Sequence, residues 1–423
     1  MTKIEKVHAR QIIDCKCRPL VEVELTCEGG IVTRGAAPTG QSVGIHEACV
    51  LRDGDPNDYH GLSVHKAVAN VIDVIGPAIA GMDVEDPAAI DRAMIALDGT
   101  PDKSKLGGNA IYSASIAAWR AAAAAKGMPL YQMIAGGPLS TVPVPTFNMI
   151  NGGRYDDLVQ PFNEFIVVPF GASSIQEAVA LGVELFNHLE DTLRRVTGST
   201  PKVAKSYGYA APSEDPAEVL GIMKQTMREI GAENKFCFAF DCASAEMYDK
   251  ETKTYLLKGE RVTASQLVDY MVKLSEEFDF LFVEDLLDED DWDGFVEAKR
   301  KLTRTHILGD DLIVTNRARL EHAVEIDAVD GFILKPNQIG TLAEAFETYD
   351  YAQEHGLLAV PSGRSGGVID DVVMDLSVGL QVPFQKNGCP RSGERIEKLN
   401  FLMRAAESAP DVKLADVRKI ARF

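Results

Sequence analysis

Four short apolar segments lie between residues 236 and 338, and each ends in residues that can bind or react. They read FCFAFD, FLFVED, HILGDD and GFILKPN along the chain. Each is too short for a helix and rich in Phe, Ile, Leu and Val, which predicts buried parallel strands. Amphipathic segments of helix length, such as residues 264–278 and 341–355, lie between them. This alternation predicts a (β/α) barrel.

The ends of the predicted strands carry three carboxylates and a lysine. Asp241, Glu284 and Asp310 close three segments, and Lys335 follows the apolar part of the fourth. A single acidic residue at a strand end usually caps the next helix, but three at successive ends favour one shared site, because barrel strands end at a common mouth. Carboxylate oxygens are hard ligands that suit Mg²⁺. The acidic run 285–294 is instead interpreted as the start of a helix, where the helix dipole favours negative charge.

Lys335 is the candidate general base of this site. A lysine has an ordinary pKa near 10.4, so it acts as a base only if nearby cations lower that pKa toward neutrality. Lys386, in the segment FQKNG, is the natural neighbouring cation. Arg364 and Ser365, in PSGRSGG, offer a bidentate cation and a hydroxyl group to a phosphate. A lysine base beside one or two Mg²⁺ ions is typical of enzymes that form an ene-diolate.

The first third of the chain has a different pattern. The alternation in residues 20–30 predicts an antiparallel hairpin with a Gly-Gly turn, and residues 67–79, 87–97 and 109–126 are predicted helices. This pattern predicts an α+β domain over residues 1–138 and a barrel domain over residues 139–423. The proline-spaced segment 141–147 is interpreted as the connection into the barrel, and FNMINGG and NEFIVVPF as the first barrel strands.

Charge narrows the range of partners. The formal net charge of −20 argues against nucleic acid and anionic membranes as partners, so an anionic substrate would need metal ions or local cations. No apolar run approaches the roughly 20 residues of a membrane span, and the N-terminus has no signal-peptide core. The seven cysteines then indicate free thiols in a reducing cytoplasm.

Several motifs along essentially the whole chain resemble those of the enolase family. They are QSVGIHEA, KLGGNAI, VPTFNMINGG, VEDLLDEDDWDGF, LGDDLIVTN and LKPNQIGTLAE. The last three are very specific, and chance matches to all of them are implausible. The resemblance implies an α/β fold, with an enolase-type (β/α)8 barrel and an N-terminal α+β capping domain. It also implies a homodimer or larger homo-oligomer, two Mg²⁺ ions per active site and a small phospho- or phosphono-carboxylate substrate.

The resemblance also implies a role for individual residues. Asp241, Glu284 and Asp310 would hold the first Mg²⁺, and Ser42 lies where the family's loop serine reaches the second. Lys335 matches the lysine that abstracts the proton, and Lys386 the lysine that contacts the substrate. The remaining matches are the phosphate-binding pair Arg364 and Ser365, and Glu164, one of two glutamates that handle the departing hydroxyl group.

Three departures from the family pattern cluster on one side of the implied site. The family's VGDEGGFAP is AKSYGYAAP here, so Tyr207 stands at the position of the second catalytic glutamate and is the candidate for a catalytic role there. Tyr155 replaces the histidine after the NGG motif, and Gly363 replaces the histidine before the Arg-Ser pair. All three positions face the leaving group or the phosphate. The half of the site that holds metal and base is therefore retained, while the half that handles the leaving group has changed.

Three functions are compatible with this sequence. The nearest is a 2-phosphoglycerate hydro-lyase with altered acid groups. The alternative is a relative that makes a phosphonate enolpyruvate, similar to the carboxyphosphonoenolpyruvate synthases of phosphinate-antibiotic biosynthesis. The third, a non-catalytic protein with an enolase fold, is disfavoured because a scaffold needs no lysine base beside a metal site.

Overall fold

The computed structural model of the protein describes residues 1–40, 44–155 and 158–423. Ser42, the implied ligand of a second Mg²⁺, lies outside these residues. In the described part of the chain, no helix combines the length and the apolar character that crossing a membrane requires.

The chain begins with a three-stranded antiparallel sheet, which contains the predicted hairpin with its Gly-Gly turn. Its strands are β1 (Ile4–Ile13), β2 (Pro19–Cys27) and β3 (Ile31–Ala36), paired in that order. Gly29 and Gly30, between β2 and β3, have φ angles of 79° and 80°. A residue with a side chain rarely adopts this left-handed conformation, so the Gly-Gly turn is the local reason why the hairpin closes here.

Helices pack on one face of this sheet and complete the capping domain. They are α1 (His65–Asn70), α2 (Gly76–Ile79), α3 (Pro87–Asp98), α4 (Gly108–Ala125) and α5 (Leu130–Ala135). A π-helical turn, Val71–Ile75, joins α1 to α2, so the predicted helix over 67–79 is confirmed as one helical segment. The alanines of α4 allow close packing, and Gly35 on β3 lies directly against the α4 backbone.

Eight strands form the barrel that follows. They are β4 (Val144–Tyr155), β5 (Leu158–Val168), β6 (Cys237–Asp241), β7 (Phe280–Glu284), β8 (His306–Gly309), β9 (Gly331–Leu334), β10 (Leu358–Pro361) and β11 (Phe384–Gly388). Neighbours in the chain pair in order, β11 returns to β4, and a parallel bridge between Ser362 and Lys386 joins β10 to β11. The four strands predicted between residues 236 and 338 are confirmed as parallel neighbours. Among the barrel strands that the structure describes, β5 alone runs antiparallel to both of its partners.

Helices surround the barrel on the outside. They are α6 (Ile175–Thr197), α7 (Pro216–Glu229), α8 (Ala264–Glu277), α9 (Trp292–Lys301), α10 (Arg317–Glu325), α11 (Pro336–Ile339), α12 (Leu342–Glu354), α13 (Val373–Gly379) and α14 (Gly393–Ala406). Asp291, late in the acidic run, caps α9 through the backbone N–H of Gly294, which supports the interpretation for this part of the run. The interpretation was wrong for Asp285, which accepts instead from the backbone N–H groups of Asp310 and Asp311.

The segment predicted to connect the two domains belongs partly to the barrel. The strand β4 already begins at Val144, so the interpretation of residues 141–147 as a connection was wrong for its second half. Pro145 is tolerated because it pairs with Gln385 of β11, while pairing with β5 begins only at Phe147. The missing N–H of Pro145 therefore faces no second strand. The boundary after residue 138 stays a prediction.

The interior of the barrel is filled below the mouth. Ala239, Ile333, Val360 and Phe384 belong to one buried apolar cluster, which residues 417–423 also contact. His306 starts β8, and its Nε2 lies 2.7 Å from the Ile420 carbonyl oxygen, so the C-terminal residues close the amino-terminal end of the barrel. Because this end is packed, chemistry is confined to the opposite end.

Candidate active site

The strand ends bring the predicted metal ligands and the predicted base together. Asp241 is the last residue of β6, Asp310 follows β8 directly, and Lys335 follows β9 directly. All three line a cavity of about 440 Å³ at the mouth of the barrel. Glu284, the last residue of β7, lies completely buried. Its carboxylate bonds to Lys386, which also lines the cavity.

Lys386 lies among the carboxylates. Its Nζ donates hydrogen bonds to Asp241 Oδ2, at 3.0 Å, and to Glu284 Oε2, and lies 3.9 Å from Glu164 Oε2. Burial lowers the pKa of this lysine, but Asp241 and Glu284 raise it more, so the net pKa is well above its ordinary value. Lys386 is therefore a permanently charged group within the site.

The carboxylates fit a divalent metal ion. Burial, and then the Asp241 charge, raise the pKa of Glu284 well above its ordinary value. Among the described residues, Glu284 Oε1 has no hydrogen-bond partner although it is buried. A buried acceptor without a donor, close to other carboxylate oxygens, has the chemistry of a hard-cation ligand. Asp241, Glu284 and Asp310 are the residues that would hold Mg²⁺ here.

Lys335 is held by two contacts at the end of β9. Its backbone N–H donates to Thr315 Oγ1 at 2.8 Å, and its Nζ donates to Asp310 Oδ2. The other oxygen of Asp310 accepts from Gln338 Nε2 at 2.9 Å. Burial lowers the pKa of Lys335, whereas Asp310 raises it, and the net pKa lies above its ordinary value. Asp310 is therefore the nearest group that favours the protonated form of this lysine.

Two further acids at the mouth were not assigned from sequence. Ligand atoms of Asp285, Asp310 and Asp311 lie within 4.8 Å of one another. The two oxygens of Asp285 accept from the backbone N–H groups of Asp310, at 2.8 Å, and Asp311, at 2.7 Å. Asp285 therefore positions the loop that carries Asp310. Burial raises the pKa of Asp311 to about 8. The acid pairs ED and DD at two successive strand ends were the available sequence signal.

The predicted phosphate-binding pair is also at the cavity. Arg364 and Ser365 both line it. Arg364 Nη1 and Nη2 donate to the two oxygens of Glu47, at 2.9 and 3.0 Å, in a buried bidentate ion pair. Ser365 Oγ is buried and has no hydrogen-bond partner in the described part of the chain. Glu47, in the loop after β3, was not singled out from sequence.

Glu164 and Tyr155 lie on the opposite wall, on the antiparallel hairpin β4–β5. Glu164 pairs across the strands with Asp241, and its Oε1 accepts from Asn148 Nδ2 at 3.0 Å. Burial raises the pKa of Glu164 above its ordinary value. The Tyr155 hydroxyl donates to the Gly152 carbonyl oxygen at 2.8 Å, and burial raises its pKa to about 12.

Tyr207 is directed differently from the other predicted residues. Its hydroxyl donates to the carbonyl oxygen of Cys15 at 2.8 Å, and Arg395 lies over its ring with the guanidinium 5.0 Å from the centroid. The neighbouring Lys205 and Ser206 line the cavity, but Tyr207 is not among the lining residues. Its hydroxyl would have to leave Cys15 to reach a substrate. The catalytic role of Tyr207 therefore stays a prediction.

Gly363 lies at the cavity beside two cations from α14. Lys398 and Arg395 both line the cavity, although neither was singled out from sequence. A Cβ atom built on Gly363 would overlap the Lys398 ammonium group. The sequence did not indicate that these two residues reach the site, because both fit the polar face of an ordinary amphipathic helix.

Two family models match the chain and together span almost all of it. "Enolase, N-terminal domain" matches residues 4–134, and "Enolase, C-terminal TIM barrel domain" matches residues 139–419. The chain belongs to the enolase family. This membership confirms the resemblance and the fold class inferred from the motifs, and makes the chain an enolase-superfamily enzyme. The reaction of this enolase-family protein, its metal and the roles of single residues are matters of proposal.

Proposed function

We propose that this enolase-family protein removes the proton from the carbon next to a carboxylate in a small phospho- or phosphono-carboxylate. The nearest activity is that of a 2-phosphoglycerate hydro-lyase. The proposal rests on one observation: Lys335, its partner Asp310 and the cation Lys386 line the same cavity as Arg364 and Ser365. A base and an anion-binding pair in one cavity suit a substrate that carries both an acidic carbon and a phosphate or phosphonate group.

Lys335 is the proposed base, and its immediate neighbours control its proton. Asp310 raises its pKa, while Arg364 and Lys386 lower it. When the charge of Asp310 is neutralised, the two cations prevail and the lysine is able to lose its proton. The substrate carbon then has to lie within hydrogen-bond reach of Nζ, which the strand-end position of Lys335 supports by fixing the start of its side chain.

The metal belongs to the same proposal. Mg²⁺, held by Asp241, Glu284 and Asp310, would supply positive charge that stabilises the negative charge developing on the substrate. Lys386 adds a second, protein-borne positive charge on the same side. These residues therefore all favour the deprotonated form of the substrate, which is the electrostatic requirement of the reaction.

Glu164 is the proposed acid for a departing hydroxyl group. Its burial raises its pKa, so it holds a proton closer to neutral pH than an exposed glutamate does. Its place opposite Asp241 supports a role on the far side of the substrate from Lys335. With this acid alone, elimination of hydroxide is expected to be slower than proton removal, since loss of a positioned acid typically costs about 10²–10⁴ in rate.

A second candidate function has its own support. The Tyr155 and Tyr207 hydroxyls both donate to backbone carbonyl oxygens, so neither is free to donate to a leaving hydroxide. Gly363 has no side chain, and the ammonium group of Lys398 lies beside it, so this part of the cavity surface is positively charged. These features suit a substrate with a bulkier phosphonate, as in the carboxyphosphonoenolpyruvate synthase-like alternative.

Proton exchange tests the proposal directly. The protein with Mg²⁺ is incubated with 2-phosphoglycerate in D₂O, and proton NMR follows the C2 proton while ultraviolet absorbance follows phosphoenolpyruvate. We expect C2 exchange to be faster than phosphoenolpyruvate formation. Equal rates at ordinary turnover would show a competent acid and favour the plain hydro-lyase. No exchange with 2-phosphoglycerate, but exchange with a phosphonate analogue, would favour the alternative. The absence of exchange with both would refute the proposal.

The homodimer and the cytoplasmic location also stay proposals. Both come from the family resemblance and from the free cysteines rather than from any interface in this chain. Sedimentation equilibrium of the full chain at several concentrations would measure the oligomeric state.

A further inference from the structure

We propose that Lys398 is a substrate-binding residue whose ammonium group binds the phosphate or phosphonate end of the substrate. This inference rests on the proposed function, because it concerns the anion that the same cavity would hold. It assigns to the cavity a cation that comes from a surface helix of the barrel, α14, and not from a strand end.

The first observation is the position of the side chain. Lys398 is only 3% exposed, yet it lines the cavity together with Gly363, Arg364 and Ser365. A lysine that only solubilised α14 would extend its ammonium into water, just as Arg404 on the same helix exposes its guanidinium. Lys398 instead extends inward to the mouth of the barrel.

The second observation is that this buried charge is poorly satisfied. The nearest carboxylate oxygen is Asp371 Oδ2, 3.6 Å from Nζ, which is too long for a hydrogen bond. Within residues 1–40, 44–155 and 158–423, the ammonium group makes no hydrogen bond. Lys398 and Asp371 thus form a buried ion pair in which no donor of the ammonium is used in a hydrogen bond. Unused donors on a buried charge are costly. An anionic oxygen atom in the cavity would satisfy them.

Gly363 is the residue that makes this position possible. A Cβ atom at residue 363 would overlap Lys398 Nζ. Any residue other than glycine would consequently push the ammonium away. The atom that has to move is the end of a flexible side chain, so a small substitution at 363 would displace the charge without a large cost to the fold.

The neighbouring groups give the anion a second partner. Ser365 Oγ is buried, lines the same cavity and has no hydrogen-bond partner among the residues described. Both terminal nitrogens of Arg364 already donate to Glu47. Lys398, which lies against Gly363 and has spare donors, thus offers a compact charge to a phosphate or phosphonate oxygen.

Phosphate binding tests the inference with the full-length protein. Isothermal titration calorimetry measures the affinity for inorganic phosphate and for phosphoenolpyruvate, in the presence of Mg²⁺. We expect Lys398→Met to weaken both affinities by roughly tenfold or more, as expected for loss of a hydrogen bond to a charged group. The matched control Arg404→Met, which removes an exposed cation from the same helix, should leave both affinities unchanged.

A second variant keeps the test decisive if Lys398→Met folds poorly. Gly363→Ala retains the lysine but displaces its ammonium, so it should also weaken phosphate binding, while the melting temperature stays near that of the wild type. The double variant should lose little more than either single variant, because both act on one contact. Wild-type affinity in Lys398→Met, or additive losses in the double variant, would overturn the inference.

These measurements are separable from the proposed reaction. Phosphate binding requires no proton transfer, so a wild type that shows no C2 exchange but binds phosphate through Lys398 would refute only the proposed function. A wild type that exchanges the C2 proton, with Lys398→Met fully retaining phosphate affinity, would refute only the present inference.

Discussion

Arg364 and Glu47 form a buried, bidentate ion pair that joins the mouth of the barrel to a loop of the capping domain. The two residues are 317 positions apart in the chain, and both N–H···O distances are close to 3.0 Å. Neither side chain is more than slightly exposed. The pair holds the Arg364 guanidinium in one orientation and also holds Glu47, in the loop after β3, against the barrel. The orientation of the Arg364 side chain at the cavity therefore depends on a carboxylate from the capping domain.

The first prediction concerns this pair. Glu47→Gln leaves the Arg364 charge buried without its carboxylate, which typically destabilises a protein by roughly 3 kcal/mol. We expect a lower free energy of unfolding in urea and weaker substrate binding, since the loop loses its anchor. Glu407→Gln, at an exposed position, is the control. An unfolding curve for Glu47→Gln identical to that of the wild type would show that the pair contributes nothing net.

The second prediction concerns the base. Lys335→Met retains the length and apolar part of the side chain but cannot accept a proton, so C2 exchange of 2-phosphoglycerate should fall by about 10²–10⁴-fold. Lys273→Met, on the exposed face of α8, should exchange at the wild-type rate. Exchange at that rate in Lys335→Met, measured by proton NMR in D₂O, would mean that another residue is the base.

The third prediction concerns the metal ligands. Glu284→Gln removes one charge and one strong oxygen ligand, so both activity and the stabilisation that Mg²⁺ confers on the fold should be lost. The melting temperature is measured with Mg²⁺ and with a chelator. The wild type and the control Glu277→Gln should show a higher melting temperature with Mg²⁺. An equal increase in Glu284→Gln would contradict the assignment of this ligand.

The fourth prediction uses a buried acid that links the capping domain to the barrel. Asp91, on α3, accepts hydrogen bonds through Oδ2 from Trp119 Nε1, at 2.9 Å, and from the Ala343 N–H at the start of α12, at 3.0 Å. Burial raises its pKa to about 6. The folded state therefore binds a proton more tightly than the unfolded state does, and stability is lost as the pH rises from about 4 to about 6.

The variant Asp91→Asn carries no charge at any pH. Its free energy of unfolding, relative to that of the wild type, should consequently rise by about 2 kcal/mol between pH 4.5 and pH 7. Urea unfolding at both pH values measures this change, and Asp73→Asn, at an exposed site of the same domain, should show no such change. A relative stability that is independent of pH would mean that Asp91 is ionised normally.

The strand pattern was sufficient to predict the half of the site that holds metal and base. Each of the four apolar segments became a parallel strand, and parallel neighbours place their carboxyl ends at one edge. Asp241, Asp310 and Lys335 were therefore brought together by local sequence and topology alone. The prediction from sequence was less successful at β4, where two prolines suggested a connection between domains. Pro145 nevertheless belongs to the strand, because at this position β4 pairs with β11 only.

The anion-binding half required the folded structure. Side-chain direction in loops and on helices depends on what lies opposite, so no local pattern showed that Tyr207 donates to Cys15 or that Glu47 pairs with Arg364. The same holds for Lys398. Its sequence position suggests a solvated helix face, whereas in the structure Gly363 leaves room for its ammonium group at the cavity.

The sequence by itself determined the family, through its specific motifs, and the order of the elements and the strand-end residues, because short-range hydrophobic patterning sets the strands and helices. Only the tertiary structure decided which distant charges meet at the mouth. Contacts such as Glu47 with Arg364, or Lys398 beside Gly363, depend on how helices and loops from separate parts of the chain pack together. Their energies come from burial and pairing of charge, which no stretch of sequence carries alone.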